Sequence, residues 1–190
     1  MKRKYELKER ARRQAETRSR IVQAAVDLHT SVGSSRTTVS AIAERAGVER
    51  HTFYAHFPDE RALFRACSQH WRAEHPRPDP ARWLELDDPE QQLRGVLSAL
   101  YGWYEEVEPE LEVLLRDATL VPLQAEMLGE SSEKTAELAD TVARAWPRRK
   151  AVRAAIGHAL EFETWHSLVR RQGLSRKQAV EAMLRLVESA

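Results

Sequence analysis

Arg50, His51, Thr52 and Tyr54 stand within five consecutive positions and offer a guanidinium, an imidazole, an aliphatic hydroxyl and a phenol. A guanidinium can bind guanine O6 and N7 bidentately, and imidazole and hydroxyl groups bond base edges or phosphates. A phenol hydroxyl suits a phosphate oxygen. At about 100° per residue, Phe53 and Phe57 lie within about 40° of each other and define the inward side of one helix. His51 and Ala55 then fall opposite the core, with Thr52 and Tyr54 on the flanks. Ala55 is small enough to let a backbone sit deep in a groove.

The elements that must position this face are legible around it. Val39, Ile42, Ala43 and Ala46 are an apolar set at helical spacing. Gly47 supplies the left-handed residue that stops a helix without a Cβ clash. A second short helix follows, beginning at Arg50, with Val48, Phe53 and Phe57 turned inward. Helix, glycine turn and helix predict a helix-turn-helix, whose second helix enters the DNA major groove.

The run Thr38, Ile42-Ala43-Glu44-Arg45-Ala46-Gly47-Val48, Thr52-Phe53-Tyr54-Ala55-His56-Phe57-Pro58 and Leu63-Phe64 resembles the TetR family of bacterial transcriptional regulators. The likeness covers roughly residues 15–75. It implies an all-helical homodimer with an N-terminal three-helix DNA-binding domain and a C-terminal domain that binds a small effector and dimerises. It also implies that Thr38, Arg50, Thr52 and Tyr54 contact DNA, largely its phosphates; His51 and the nearby Arg36 join them as candidates. Three positions depart from the family pattern. Glu49 stands where the family usually has Ser, and a carboxylate repels phosphate where a hydroxyl would cap the helix and donate. His51 replaces a frequent Gly, and Glu60 replaces a lysine common at the start of the next helix, with Arg61 beside it. These departures bear on the operator sequence and leave the docking mode alone.

With 7 Gly and 8 Pro in 190 residues and no strand-like alternation, the chain is predicted to be all-α. The expected organisation is a basic extension over 1–14, a helix-turn-helix domain over 15–75 and an effector-binding and dimerisation bundle over 76–190. No run of 18 apolar residues predicts a membrane span, and the basic start lacks the apolar stretch of a secretory signal. A single cysteine, Cys67, excludes an intrachain disulfide and, on the Leu63, Cys67, Trp71 stripe, reads as a packing residue. A cytoplasmic location is expected.

The net charge of +1 conceals a division. Residues 1–72 hold 15 Lys+Arg against 8 Asp+Glu, a balance of +7, and residues 73–190 hold 15 against 21, a balance of −6. The basic half carries the motif, as binding to a polyanion requires. Nine basic and three acidic side chains fall in the first 20 residues, in a composition that would extend the first helix backward from Ile21, Ala24, Ala25 and Leu28. Lys2, Arg3 and Lys4 are the candidates there for phosphate or minor-groove contact, against the alternative of a solvated tail.

Three prolines in residues 75–80 end the helix begun after Pro58. Asp88, Pro89 and Gln91 read as N-cap, first helical position and capping-box partner of a helix that Pro109 is expected to interrupt, with a shorter one following through Leu111, Leu114 and Leu115. Residues 122–129 read either as a short helix or as the first turns of one running to Ala145. Beyond Pro147 one helix is expected from Arg149 to Gln172, ended by Gly173, then a last one capped by Ser175 with Gln178. Two long helices at a C-terminus suit a four-helix dimer interface, for which Ala154, Gly157, Met183, Leu186 and Val187 are the candidates. The aromatic residues of this half point to an effector pocket, with Tyr101, Tyr104, Arg116, His158, Phe162 and Trp165 as candidate lining, although packing explains any single ring more simply.

No metal-ligand spacing, nucleophile elbow, P-loop or dinucleotide fingerprint appears, so no metal, cofactor or enzymatic activity is expected. The expected partners are a double-stranded DNA operator, a second copy of the chain and a small effector, with no membrane. The leading expectation is a repressor released from a pseudo-palindromic operator by its effector. The alternative is a constitutive or architectural DNA-binding dimer.

Overall fold

A computed structural model describes the backbone of residues 2–190 and the side chains from residue 5 onward. Among the described residues every regular element is helical. The order is α1 (Lys2–Leu28), a π turn (His29–Gly33), a 3-10 turn (Ser34–Arg36), α2 (Val39–Ala46), α3 (Arg50–His56), α4 (Glu60–Glu74), α5 (Ala81–Leu84) and α6 (Pro89–Ala118). Then come α7 (Pro122–Ala143), α8 (Lys150–Ala159), α9 (Phe162–His166), a second π turn (Ser167–Arg171) and α10 (Arg176–Ser189).

The chain forms two compact units, one of residues 1–76 and 109–128, the other of residues 77–108 and 129–190. The proline punctuation at 75–80 does not announce that 109–128 groups with the first. α1 absorbs the basic extension in one unbroken helix. Its polar turns carry Glu9–Arg12 and Arg12–Glu16 pairs at 2.7 and 3.5 Å, at the spacing that brings helical neighbours together. The side chains of Lys2, Arg3 and Lys4 lie outside the described residues.

The helix expected to stop at Pro109 does not stop. α6 runs through it. An interior proline removes one backbone hydrogen bond and costs about 3 kcal/mol. Val107 and Leu111 flank it, both buried, and burying two such side chains contributes about 1.5–3 kcal/mol each. Burial wins. At the start of α6 the Asp88 carboxylate accepts from the Glu90 N–H at 3.0 Å, as a cap should. The Gln91 amide, however, donates to that same carboxylate at 2.9 Å instead of reaching back to the Asp88 N–H. For residues 122–143 the longer of the two expected helices forms.

The helix expected over 149–172 is broken. Glu161 is extended at φ −76°, ψ 144°, which separates α8 from α9. In an unbroken helix the carbonyls of Ala159 and Leu160 would accept from residues 163 and 164. Here they accept from two buried phenols, Tyr101 at 2.8 Å and Tyr104 at 2.7 Å. The tyrosines supply the partners that the break removes, so neither carbonyl is orphaned. The expected end holds: Gly173 is left-handed at φ 72°, and the Leu174 N–H donates to the Leu168 carbonyl at 3.1 Å. Ser175 and Gln178 form the reciprocal capping box of α10.

Candidate nucleic-acid interface

The first unit is built on one apolar core. Ile21, Val22, Ala24, Ala25 and Val26 of α1 meet Ile42, Ala43 and Ala46 of α2, Phe53 of α3, Phe57 just after it, and Leu63, Ala66 and Cys67 of α4. Burial pushes the Cys67 thiol up to about 12, so it stays a neutral packing group. The α2–α3 turn is a Schellman motif. Gly47 sits at φ 65°, ψ 42°, its N–H donates to the Glu44 carbonyl at 3.0 Å, and the Val48 N–H donates to that of Ala43 at 2.9 Å. Arg20 of α1 donates to the Ala46 carbonyl at 3.1 Å, closing the end of α2. Arg45 pairs with Asp27 at 2.8 Å, which ties α2 to α1.

This frame fixes the outer face of α3. Phe53 and Phe57 are 3% and 1% exposed, while Arg50, His51, Tyr54 and Ala55 face solvent and Thr52 is half-buried. The Tyr54 ring packs edge-on against Phe53 at 5.4 Å, which orients its phenol without burying it. His51 Nε2 and the Thr52 hydroxyl share a hydrogen bond of 3.3 Å. At the start of α3, Glu49 occupies the N-cap position with no side-chain cap, so the departure from Ser leaves the first-turn N–H groups without a hydroxyl. Ahead of α2, the Thr38 oxygen accepts from the Ala41 N–H at 3.2 Å, leaving its own proton available to an incoming oxygen. Arg36 is exposed one turn earlier. A groove of about 450 Å³ separates the first half of α1 from α3, with Arg10, Arg13, Gln14 and Thr17 on one wall and Thr52 and His56 on the other.

The segment leading into α2 is anchored by a residue 82 positions away. Asp117, 1% exposed, accepts from the Ser35 N–H at 2.8 Å and from Arg116 at 2.8 Å, and Arg116 also donates to the Val32 carbonyl at 3.1 Å. Burial alone would raise this carboxyl, but the Ser35 and Arg116 bonds outweigh it and hold it below the usual aspartate range. Gly33, at φ 106°, lies against Arg116 and Asp117 where a Cβ would collide with both. His29 is stacked on Phe64 at 5.1 Å, and burial lowers its imidazole to about 4 against the opposing pull of Asp117. Sequence reasoning had no local signal for Asp117, because its partners are distant in the chain.

In the second unit four of the candidate pocket residues come together. Phe162 lies 5.3 Å from both Tyr104 and Trp165, Tyr104 lies 5.7 Å from Trp165, and Tyr101 lies 6.4 Å from Tyr104. All four are buried, and burial pushes both phenols up. The Trp165 indole N–H is buried with no acceptor. His158 is exposed and bonds the Thr164 hydroxyl at 3.2 Å, and Arg116 belongs to the first unit. Of the candidate interface residues, Ala154 and Leu186 are exposed, Gly157 is half-buried with open space where a Cβ would point, and Met183 and Val187 are buried within their own chain.

An all-helical chain with a helix-turn-helix and an exposed second helix has the architecture of a DNA-binding transcriptional regulator. Residues 21–67 match the family described as bacterial regulatory proteins, tetR family, and the resemblance read from the motif is thereby shown. The whole chain has the fold of known regulators. It superposes on a TetR-like transcriptional regulator from Rhodococcus sp. RHA1 with a TM-score of 0.62 at 20% identity, covering 90% of this chain and 93% of that one. The multidrug binding protein EbrR, complexed with imidazole, gives 0.60 at 22% identity over 89% and 93%. RolR, in complex with resorcinol, gives 0.50 at 21% identity over 93% and 90%. No curated protein matches the sequence. No helix among the described residues is long and apolar enough to cross a membrane.

Proposed function

We propose that this protein is a dimeric, cytoplasmic repressor that leaves a pseudo-palindromic operator when a small effector binds. The observation that carries the reading is the division of α3, with Phe53 locked in the core and Arg50, His51, Tyr54 and Ala55 presented outward. Arg50 and His51 read base edges. Thr38, Thr52, Tyr54 and Arg36 hold phosphates, and Lys2, Arg3 and Lys4 extend that contact from the start of α1. Two copies of α3 in successive major grooves would sit about 34–36 Å apart. Dimerisation through α8 and α10 is supported by exposed Ala154 and Leu186 and by half-buried Gly157, which has open space where a Cβ would point. The effector site is the ring cluster of Tyr101, Tyr104, Phe162 and Trp165. A buried indole N–H without an acceptor costs about 1–3 kcal/mol, which an effector carrying an acceptor oxygen or nitrogen would recover. That EbrR and RolR were crystallised with imidazole and resorcinol, small ring compounds with such acceptors, supports this choice.

Selection of bound genomic fragments by the purified protein should return an inverted repeat. Arg50→Ala and His51→Ala should each relax base preference at one position per half-site, by about 1–3 kcal/mol of discrimination. Unchanged specificity in both variants rejects the assignment of the readers, and a monomer by sedimentation at micromolar concentration rejects the dimer. Deletion of residues 1–12 with no change in affinity or salt slope removes the arm from the interface.

A further inference from the structure

The second half of the chain is acidic, yet five of its 15 cationic residues fall within ten positions that contain no acid: Arg144, Arg148, Arg149, Lys150 and Arg153. They sit at the junction of α7 and α8 and line one open concavity of about 550 Å³. Asp140 is the acid on its wall, and it pairs with Arg153 at 2.5 Å. Among the described residues no carboxylate pairs with Arg144, Arg148, Arg149 or Lys150. Elsewhere in this unit Arg94 pairs with Glu90 and Glu181, Arg170 with Glu108, and Arg176 with Glu105, while Arg82, Arg171 and Arg185 have no carboxylate partner among the described residues but stand apart from one another in the sequence. Arg149 also occupies the N-cap position of α8, where its side chain has no acceptor to offer the first-turn N–H groups.

Four exposed cations without carboxylate partners line one concavity, which concentrates positive potential there. A monoanion would satisfy one of them. Guanidinium groups match phosphate oxygens bidentately, and a chain of two or three phosphates offers several charges along a length that adjacent arginines can follow. The volume falls in the range of small-molecule sites. We propose that the α7–α8 concavity binds the phosphate chain of a small polyphosphate, either free or carried by a nucleotide. The site shares no residue with the ring cluster or with α3, so it stands or falls independently of the operator reading.

The test is calorimetric titration of the full-length protein with tripolyphosphate, ATP, AMP and adenosine at fixed ionic strength. Saturable binding of one tripolyphosphate or ATP per chain is expected, with AMP at least about tenfold weaker and adenosine not bound. Equal affinity for tripolyphosphate and ATP identifies a free polyphosphate as sufficient, and tighter ATP identifies a nucleotide. Arg148→Ala with Arg149→Ala should weaken binding at least about tenfold, and Lys150→Glu should do the same, while Arg171→Ala, an exposed cation elsewhere in the unit, should not. Unchanged circular dichroism establishes that the variants fold. Three results overturn the proposal: no saturable binding, binding in which sulfate competes as well as tripolyphosphate, or variants whose only deficit is in binding of duplex DNA.

Discussion

Acidification should loosen the DNA-binding unit through one residue, His29. Its imidazole is lowered from 6.5 to about 4, chiefly by burial, with Asp117 pulling the other way. Above pH 6.5 the folded and unfolded chains are both neutral at this position, and its contribution is flat. Between 6.5 and about 4 the unfolded chain takes up a proton that the folded chain refuses, so stability falls as pH falls. Below about 4 both states are protonated and the loss is complete, at about 3 kcal/mol in all. At pH 5 the loss is about 2 kcal/mol, or ~4–8 °C in Tm for a chain of this length. The reading is taken as a difference between two proteins, so that acid effects elsewhere in the chain cancel. His29→Phe keeps a ring against Phe64, which lies 5.1 Å away, and removes the titration. Urea unfolding of both proteins at fixed concentration, at pH 7.5, 6 and 5, should show a shallower decline in the variant by that amount. Parallel declines would refute the argument that the buried imidazole stays neutral in the folded chain.

Tyr101→Phe and Tyr104→Phe should each destabilise by about 1–3 kcal/mol, read by denaturant midpoint, because each leaves a buried carbonyl at the α8–α9 break without its donor. The double variant should depart from additivity, since the two carbonyls are adjacent. Gly47→Ala should cost about 1–2 kcal/mol by thermal melting, from the left-handed backbone alone, as the added Cβ meets only the end of Arg20. Gly95→Ala works by a different route: its Cβ would run into the Trp83 indole, so the expected change is displacement of that ring, seen as an altered tryptophan emission. Thr38→Val should lower stability by about 0.5–2 kcal/mol through loss of the α2 cap and, on the operator reading, weaken DNA binding on every sequence alike.

The helix-turn-helix was legible because its signals are local. Gly47, the apolar spacing of α2 and the pair Phe53 and Phe57 act within one or two turns, and so does the Ser175 box of α10. What was misread depends on burial or on partners far along the chain. Pro109 looks like a stop until the burial of Val107 and Leu111 is set against its cost. The break at Leu160–Glu161 follows from hydroxyls 56 and 58 positions upstream, which no window over 149–172 contains. The anchoring of the α2 approach by Asp117 is equally distant. For the candidate site, angular arithmetic put His51 and Ala55 opposite the core and Thr52 and Tyr54 on the flanks; His51, Ala55 and Tyr54 are exposed and Thr52 is half-buried. Met183 and Val187, expected at a dimer interface, are covered by their own chain, which no local pattern in α10 announces.

The two phenols that meet the α8–α9 break have an implication for inheritance. Losing them one at a time strands a buried carbonyl, while closing the helix without losing them strands a hydroxyl, so single steps in either direction are selected against. Descendants of this sequence should therefore exchange Tyr101, Tyr104 and the residues at 160–161 together, as a correlated block, whereas the exposed face of α3 is free to drift one residue at a time.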